Sequence, residues 1–236
     1  MNNMNMEYQE CYIAFLDMLG FKNLIKEKEC DYLLKVFEKI RYPFKVSSKE
    51  TDTAGKEIEG SQKDYRINSK IISDSICLYI EATDNKKLMI LIMACSIIQW
   101  ELLNCDTPIF VRGGIVKGYI YSDGDVIFGE GLTRAYLLEE GNAKYPRIIM
   151  TGDILHPLRT HETRNGETTV ERLVFKDFDG FYTVDYFSRL KYYRKQLGAC
   201  DRVVRYVNNI LGTTTDSSLR EKYNYFIGKL ASIGIK

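Results

Sequence analysis

The sequence of 236 residues has almost no net charge, because 33 lysine and arginine residues face 32 aspartate and glutamate residues and leave a formal charge of +1. A chain without a strong overall field does not attract nucleic acid or an anionic membrane over long distances. The basic segment 189–195 (RLKYYRK) is therefore expected to be the solvated face of a helix and not an RNA contact. We expect no nucleic-acid partner, and any polyanionic ligand must be bound locally.

Markers of secretion and membrane insertion are also missing. The N-terminus, MNNMNMEYQE, is polar and lacks the basic and then apolar order of a signal peptide. The longest apolar run, residues 88–100, is too short to span a bilayer and contains Ser96 and Gln99, so we expect a buried helix there. The six cysteines are scattered without a CxxC pair, which indicates reduced thiols. These absences predict a cytoplasmic protein without a membrane partner.

Two common kinds of site are missing as well. The two histidines, His156 and His161, have no matching cluster of cysteine or histidine, which argues against a zinc site. No GxxxxGK[ST] motif occurs, so the glycines do not form a P-loop. The remaining composition, with 45% hydrophobic and 28% charged residues, is that of an ordinary globular protein. A typical domain of roughly 150 residues predicts one domain with an elaboration.

Hydrophobic periodicity predicts alternating strands and helices. Residues 11–16 are typical of a strand, residues 21–40 have helical spacing, and residues 47–65 are expected to be a loop or an insertion. Residues 67–80 predict two strands joined by a tight turn, with Asp74 at or near its tip. Further on we expect a helix at 88–103, a strand at 109–121, a helix at 132–140, a strand at 147–150, a hairpin within 170–187, and helices at 188–211 and 217–233.

This order predicts an α+β fold with a ferredoxin-like βαββαβ sheet, similar to a palm domain, that carries its helices on one face and adds a C-terminal hairpin and helices. We expect residues 1–187 to form the main domain and residues 188–236 to form a helical extension packed on it. Gly113, Gly114 and Gly118 fall inside the strand at 109–121. Glycines inside a strand indicate the close approach of another backbone or of a ligand.

Two carboxylates stand out by position, since Asp17 ends the first strand and Asp74 lies in the hairpin. If the first strand is central in the sheet, the two meet at one sheet end. Adjacent carboxylates repel each other unless a cation neutralises them, and hard oxygen ligands suit Mg²⁺ or Mn²⁺ with a phosphate-bearing substrate. The alternative is that Asp17 caps the helix beginning near Gly20 and that Asp74 is only a turn residue.

Four segments resemble motifs of the class III nucleotidyl cyclases, which include the adenylate and guanylate cyclases. FLDMLGFKNL at 15–24 resembles their first metal motif, and KIISDSI at 70–76 resembles their second. RGGIVKG at 112–118 resembles their Arg-x-Gly-Ile-x-x-Gly strand, and FGEGLTRAYLLEEG at 128–141 resembles the following helix. Within the family, FLDMLGF, SDSI, RGGI and AKYPRI (143–148) look most like the bacterial pyrimidine cyclases of Pycsar antiphage defence.

The resemblance implies a cofactor and a phosphate site. Two divalent cations, Mg²⁺ or Mn²⁺, would bind at Asp17, Met18 and Asp74, and they would bridge the attacking ribose 3′-oxygen and the phosphates. The turn at 19–22 would hold the β- and γ-phosphates at the start of the first helix, although Gly20 is also explained by a simple strand-to-helix turn. These turn residues are Leu19, Gly20, Phe21 and Lys22.

Other positions are implied with a structural alternative beside each. Lys70 coincides with a base-recognising lysine, or it is a surface lysine with a buried stem. Lys176 resembles a phosphate-binding lysine, or it is a hairpin-turn residue. A second base-reading aspartate of the family falls at Val126, with Asp125 adjacent but out of register, so the resemblance does not imply adenine recognition.

The helix at 132–140 departs from the family. The usual transition-state asparagine falls at Thr133 and the usual arginine falls at Leu137. Arg134, Arg112 or Arg147 could supply charge instead, and each could equally be a structural ion-pair partner. Thr133 and Arg134 are therefore the catalytic candidates on this helix, and Arg112 is a candidate for substrate binding.

The expected function is conversion of a nucleoside triphosphate, UTP or CTP, to a 3′,5′-cyclic nucleotide and pyrophosphate, as a second messenger in antiphage defence. The resemblance further implies a head-to-tail homodimer and a downstream effector protein that binds the cyclic nucleotide. One alternative is a degenerate cyclase-fold module that binds nucleotide without turnover. Another is a palm-type enzyme that makes a cyclic dinucleotide, although Ser73 and Ser75 stand where such enzymes pair acidic residues.

Overall fold

The computed structural model describes residues 7–41, 45–48, 63–158, 172–197 and 199–235. The strands are β1 (Gln9–Leu19), β2 (Lys45–Ser48), β3 (Lys63–Arg66), β4 (Asn68–Ile72), β5 (Ser75–Glu81), β6 (Phe110–Asp123), β7 (Val126–Phe128), β8 (Ile148–Met150), β9 (Val174–Lys176) and β10 (Tyr182–Val184). The α-helices are α1 (Phe21–Glu27), α2 (Cys30–Arg41), α3 (Asn85–Leu103), α4 (Glu130–Asn142), α5 (Phe187–Leu197), α6 (Ala199–Thr213) and α7 (Ser217–Ser232). A short 3₁₀ turn covers His156–Leu158.

A single large sheet organises the protein, in the order β4-β5-β1-β6-β8-β10-β9, with β7 paired to β6. β1 lies between β5 and β6 and is antiparallel to both, whereas β6 and β8 are parallel. The strands β1, β4, β5 and β6, connected through α1, α2 and α3, form the predicted ferredoxin-like arrangement. The α+β prediction is thereby confirmed.

Helices cover both faces of this sheet, so the expectation of helices on one face is wrong in this respect. Ala14 and Leu16 of β1 belong to a cluster that contains residues of α1, α2 and α3. Ile13, which alternates with them, packs in another cluster with Ala135 of α4. Successive residues of a strand point to opposite faces, so α4 lies on the other side of the sheet from α3. The uninterrupted apolar run of β1 is typical of a strand covered on both faces.

The glycines of β6 allow α4 to pack closely against the sheet. A Cβ atom added to Gly114 would lie 2.8 Å from the carbonyl oxygen of Ala135, closer than van der Waals contact allows. The predicted backbone approach at these glycines is therefore confirmed, and its partner is α4.

One of the two predicted long helices is divided. The helix expected at 21–40 is broken where Lys28 adopts an extended backbone (φ −120°, ψ 143°), although the Lys28 amide still donates to the carbonyl of Leu24 at 2.9 Å. The helix expected at 188–211 is α5 and α6, with residue 198 outside the described part. The loop expected at 47–65 begins and ends in the paired strands β2 and β3, and residues 49–62 between them lie outside the described residues.

The C-terminal helices share a hydrophobic cluster with the end of α3 and the start of β6. Val203 of α6 and Phe226 of α7 are buried in it together with Trp100 and Phe110. Arg189, in the basic segment of α5, donates through Nε to Ser96 Oγ of α3 at 2.9 Å. The extension is thus held by apolar contacts and by this cross-helix hydrogen bond.

Within the described ranges, no helix combines the length and the apolar character needed to cross a bilayer. The six cysteines are all thiols, and five of them are buried. Burial raises the pKa of Cys11 to about 11, which keeps this thiol protonated near neutral pH. His161 lies outside the described residues.

Candidate functional site

The main chains of the two candidate carboxylate residues meet at one end of the sheet. Asp74 occupies the two-residue turn between β4 and β5, where Ser73 takes a positive φ of 56°. Two-residue hairpin turns commonly require such a conformation. The amide of Met18 donates to the carbonyl oxygen of Asp74 at 3.0 Å, and Asp17 pairs with Ser75 in the β1–β5 register. The structure therefore brings Asp17, Met18 and Asp74 together.

Arg112 stands beside Asp17 from the other neighbouring strand. The two residues are opposite each other in the β1–β6 register, and Nε of Arg112 donates to Asp17 Oδ2 at 3.0 Å. Glu139 of α4 reaches the same nitrogen, with its Oε1 atom 2.8 Å away. One guanidinium thus stands between two carboxylates on the α4 face of the sheet.

Glu139 is unusual because it is a buried acidic residue, with its side chain only 4% exposed. Burial raises the pKa of Glu139 to about 7 against the lowering effect of the Arg112 cation, and the negative charge of Asp17 adds to the rise. The sequence interpretation missed this residue. The available signal is that Glu139 comes four residues after Ala135, so helical spacing places it on the same buried face of α4.

The donor set at this sheet end fits a hard divalent cation that shares its ligands with a substrate. Mg²⁺ is usually held by one or two carboxylates together with substrate phosphates and water, and not by a closed protein cage. Asp17 and Asp74 supply two such carboxylates at adjoining main-chain positions. The described part of the chain contains no group of three or more His, Cys, Asp or Glu residues able to hold an ion. These residues therefore do not form a closed metal site.

The turn after Asp17 leads directly into α1. Gly20 takes a left-handed backbone conformation (φ 80°) as the N-cap of α1, and its carbonyl accepts from the amide of Asn23 at 3.0 Å. Phe21 is buried against Phe37 of α2, whereas Lys22 is exposed. The turn at 19–22 is therefore anchored by Phe21 and presents Lys22 to solvent.

Lys70 lies in a polar cavity of about 550 Å³ on the side of β4 and β5 away from the turn of Asp74. Its Nζ atom donates to the carbonyl oxygen of Gly124, in the turn between β6 and β7. Across the same cavity, the hydroxyl groups of Tyr79 and Ser122 are 2.6 Å apart. Lys70 thus contacts the β6–β7 turn, which also contains Asp125.

Thr133 and Arg134 occupy the first turns of α4 and are exposed. Arg134 donates to Glu130 at 3.0 Å and to the carbonyl oxygen of Lys117 at 3.3 Å. Lys117 follows Arg112 by five residues on β6, which corresponds to about 16 Å along a strand. Within one chain, therefore, Arg134 does not lie beside Asp17.

Comparisons with known proteins bear on this arrangement through the fold alone. No protein-family model and no curated protein matches the sequence. The catalytic core of a rhodopsin-guanylyl cyclase with converted specificity, solved in complex with ATPαS, superposes with a TM-score of 0.50 at 12% identity over 75% of this chain and 95% of that one. The protein has the fold of a nucleotidyl cyclase domain.

Two further solved cyclases match with lower scores. The monomeric guanylyl cyclase domain of the RhoGC fusion protein from the aquatic fungus Blastocladiella emersonii has a TM-score of 0.47 at 12% identity, over 75% of this chain and 95% of that one. A bacterial light-regulated adenylyl cyclase has a TM-score of 0.43 at 13% identity, over 85% of this chain and 99% of that one.

Two basic side chains that the sequence offers as sources of positive charge, Arg147 and Lys176, lie away from the Asp17 carboxylate. Arg147 has no exposed surface and bonds Asp177 Oδ2 at 2.6 Å and both carboxylate oxygens of Asp179. It is a structural ion-pair partner, so the idea that it supplies charge to a substrate is wrong. Lys176 is exposed on β9, at the opposite edge of the sheet from β4. Four strand positions separate β9 from β1, or about 19 Å at normal strand spacing.

Proposed function

We propose that the protein is a nucleotidyl cyclase that converts a nucleoside triphosphate into a 3′,5′-cyclic monophosphate and pyrophosphate. The observation that carries this proposal is the junction of Asp17 and Asp74, made by the Met18 amide and the Asp74 carbonyl at 3.0 Å, at a sheet end of a cyclase fold. Cyclisation requires a group that stabilises charge on the attacking 3′-oxygen and on the phosphates. This pair of carboxylates is where such stabilisation would be organised.

Asp17 and Asp74 would hold two divalent cations, Mg²⁺ or Mn²⁺, with Met18 beside them. When bound, the cations supply electrostatic stabilisation of the attacking oxygen and the phosphates. The turn at 19–22 would orient the β- and γ-phosphates, and Lys22 would add positive charge there. Arg112, which pairs with Asp17 in the free protein, would direct its terminal NH groups to the substrate phosphates in the complex.

The proposed substrate is a pyrimidine nucleotide, UTP or CTP, and the proposed setting is antiphage defence through an effector that binds the cyclic product. Support comes from the Pycsar-like segments FLDMLGF, SDSI, RGGI and AKYPRI. The proposed base site is the cavity around Lys70, whose ammonium group is held at the β6–β7 turn. A hydrogen-bonding cavity with Tyr79 and Ser122 offers hydroxyl groups to the polar edge of a base.

A second copy of the chain would complete the site. Thr133 and Arg134 are exposed on α4, and Lys176 is exposed on β9, yet none adjoins Asp17 within one chain. A head-to-tail homodimer would let one protomer supply the carboxylates while its partner supplies these side chains. The exposed apolar side chains of Tyr136 and Leu137 on α4, at 41% and 54% exposure, would be covered in such a contact.

The test is incubation of the purified protein with each nucleoside triphosphate and Mn²⁺, followed by chromatography and mass measurement of the product. Asp17→Asn and Asp74→Asn should each lower the rate by about 100-fold or more, the scale for losing one electrostatic group. Asp106→Asn, which removes an exposed aspartate elsewhere, is the matched control and should keep full activity. Absence of a cyclic product from every triphosphate at high protein concentration would refute the proposal.

One specific feature favours a second candidate, a cyclase-fold module that binds nucleotide without turnover. Thr133 and Leu137 replace the asparagine and the arginine that class III cyclases use on this helix. Retained nucleotide binding without any product would select this candidate. A product of dinucleotide mass would instead select the palm-type synthase.

A further inference from the structure

Arg112 has two carboxylates within reach of one N–H group. Its Nε atom donates to Asp17 Oδ2 at 3.0 Å, and Glu139 Oε1 lies 2.8 Å from the same nitrogen. The Nε–H group has a single hydrogen atom, so it can satisfy only one of these acceptors at a time. Glu139 Oε1 is buried and accepts no hydrogen bond from the described residues. Asp17 Oδ2 therefore accepts the hydrogen bond from Arg112, and Glu139 Oε1 is a second acceptor beside it that is not used.

We infer that Glu139 is a positioning residue that receives Arg112 when a divalent cation takes Asp17. The inference rests on the proposed function, because that function places the cation at Asp17. Arg112 donates to one oxygen of the Asp17 carboxylate, and a divalent cation bound to the same carboxylate would repel the guanidinium cation. Arg112 is half-buried, so its guanidinium needs another acceptor when it leaves.

The move of Arg112 from Asp17 to Glu139 requires only a small displacement. Glu139 already lies at contact distance from Nε of Arg112, so the hydrogen bond can be redirected without displacement of β6 or α4. Glu139 is 3% exposed, and therefore it acts on the site through Arg112 and not on a substrate directly. The neighbouring Glu140, in contrast, is exposed and hydrogen bonds with Tyr136.

The experiment measures Mn²⁺ binding to the full chain without nucleotide, by the electron paramagnetic resonance signal of free Mn²⁺. Glu139→Ala should weaken Mn²⁺ binding about 10-fold, because Arg112 then stays on Asp17. Glu139→Gln keeps an oxygen acceptor and should stay within about threefold of the wild-type affinity. Glu140→Ala is the matched control on the same helix and should bind Mn²⁺ as the wild type does.

The Arg112→Met variant serves as a second background and tests whether Glu139 acts through Arg112. Arg112→Met should bind Mn²⁺ at least as tightly as the wild type, and adding Glu139→Ala to it should change the affinity by less than about twofold. Circular dichroism checks that each variant is folded. The inference is overturned if Glu139→Ala binds like the wild type, or if it weakens binding equally in the Arg112→Met background.

The same titration separates this inference from the proposed function. A wild-type protein that binds no Mn²⁺ overturns the inference. A protein that shows the expected Mn²⁺ pattern but forms no cyclic product from any nucleoside triphosphate supports the inference and overturns the cyclase proposal.

Discussion

Gly118 of β6 and Gly131 of α4 lie against each other where the helix crosses the strand. A Cβ atom added to Gly118 would come within 2.7 Å of the Gly131 Cα atom. Backbone atoms cannot move aside as a flexible side chain can, so this contact fixes how closely α4 approaches the sheet. It therefore sets the position of the helix that carries Thr133, Arg134 and Glu139.

The substitution Gly118→Ala should lower the free energy of unfolding by about 2 kcal/mol, as overpacking in a close contact does. Gly141→Ala is the matched control, because Gly141 lies in α4 with open space around it, and it should raise stability by about 0.5 kcal/mol. Urea denaturation of both variants measures the difference. Equal stability of the two variants would contradict the packing described for Gly118.

Arg147 should be a stability residue and not a catalytic one. Its guanidinium is buried with Asp177 and Asp179 and lies over the ring of Tyr225 at 5.5 Å. Arg147→Ala should cost about 3 kcal/mol or more, since it leaves a buried carboxylate without this partner. The control Arg134→Ala breaks an exposed i,i+4 pair and should change stability by about 0.5 kcal/mol or less. Thermal unfolding of the two variants distinguishes them.

The buried carboxyl of Glu139 should make the metal-free protein lose stability as the pH rises. Its pKa is about 7 in the folded protein, against an ordinary value of 4.5. Between these values the folded state binds more protons than the unfolded state, so stability falls from pH 4.5 to pH 7. The largest loss in the free energy of unfolding that Glu139 alone can cause is about 3 kcal/mol.

Urea titrations at several pH values, with a chelator present, test this expectation. Glu139→Gln cannot titrate and should show a flatter decline of stability between pH 5 and pH 7.5 than the wild type. Parallel declines in the two proteins would show that Glu139 is not the group responsible.

Complementation between inactive variants tests the proposed head-to-tail dimer. If Asp17 and Arg134 act in one site from different protomers, Asp17→Ala and Arg134→Ala should each be inactive alone. Mixing and reassociating equal amounts should recover about a quarter of the wild-type rate, because half of the dimers are mixed and each mixed dimer has one intact site. No recovery in the mixture, with dimers present by light scattering, would exclude a site shared in this way.

The predictions from local pattern succeeded where one element decides the structure. The apolar runs of β1 and α3 and the turn around Asp74 lie where the sequence indicates, since the length of an apolar run and turn chemistry are local properties. The break at Lys28 was missed because a single extended residue leaves the apolar spacing on either side unchanged.

The sequence by itself determined the main strands and helices of the βαββαβ unit, the α+β class, and the two acidic residues placed at one sheet end. Tertiary structure alone decided that α4 covers the second face, that Arg147 is buried in an ion-pair network, and that Arg112 is shared by Asp17 and Glu139. Asp17 and Glu139 are far apart in the chain, so only their packing around β6 creates the shared contact. Burial and charge proximity arise from this packing, and no local pattern of residues contains them.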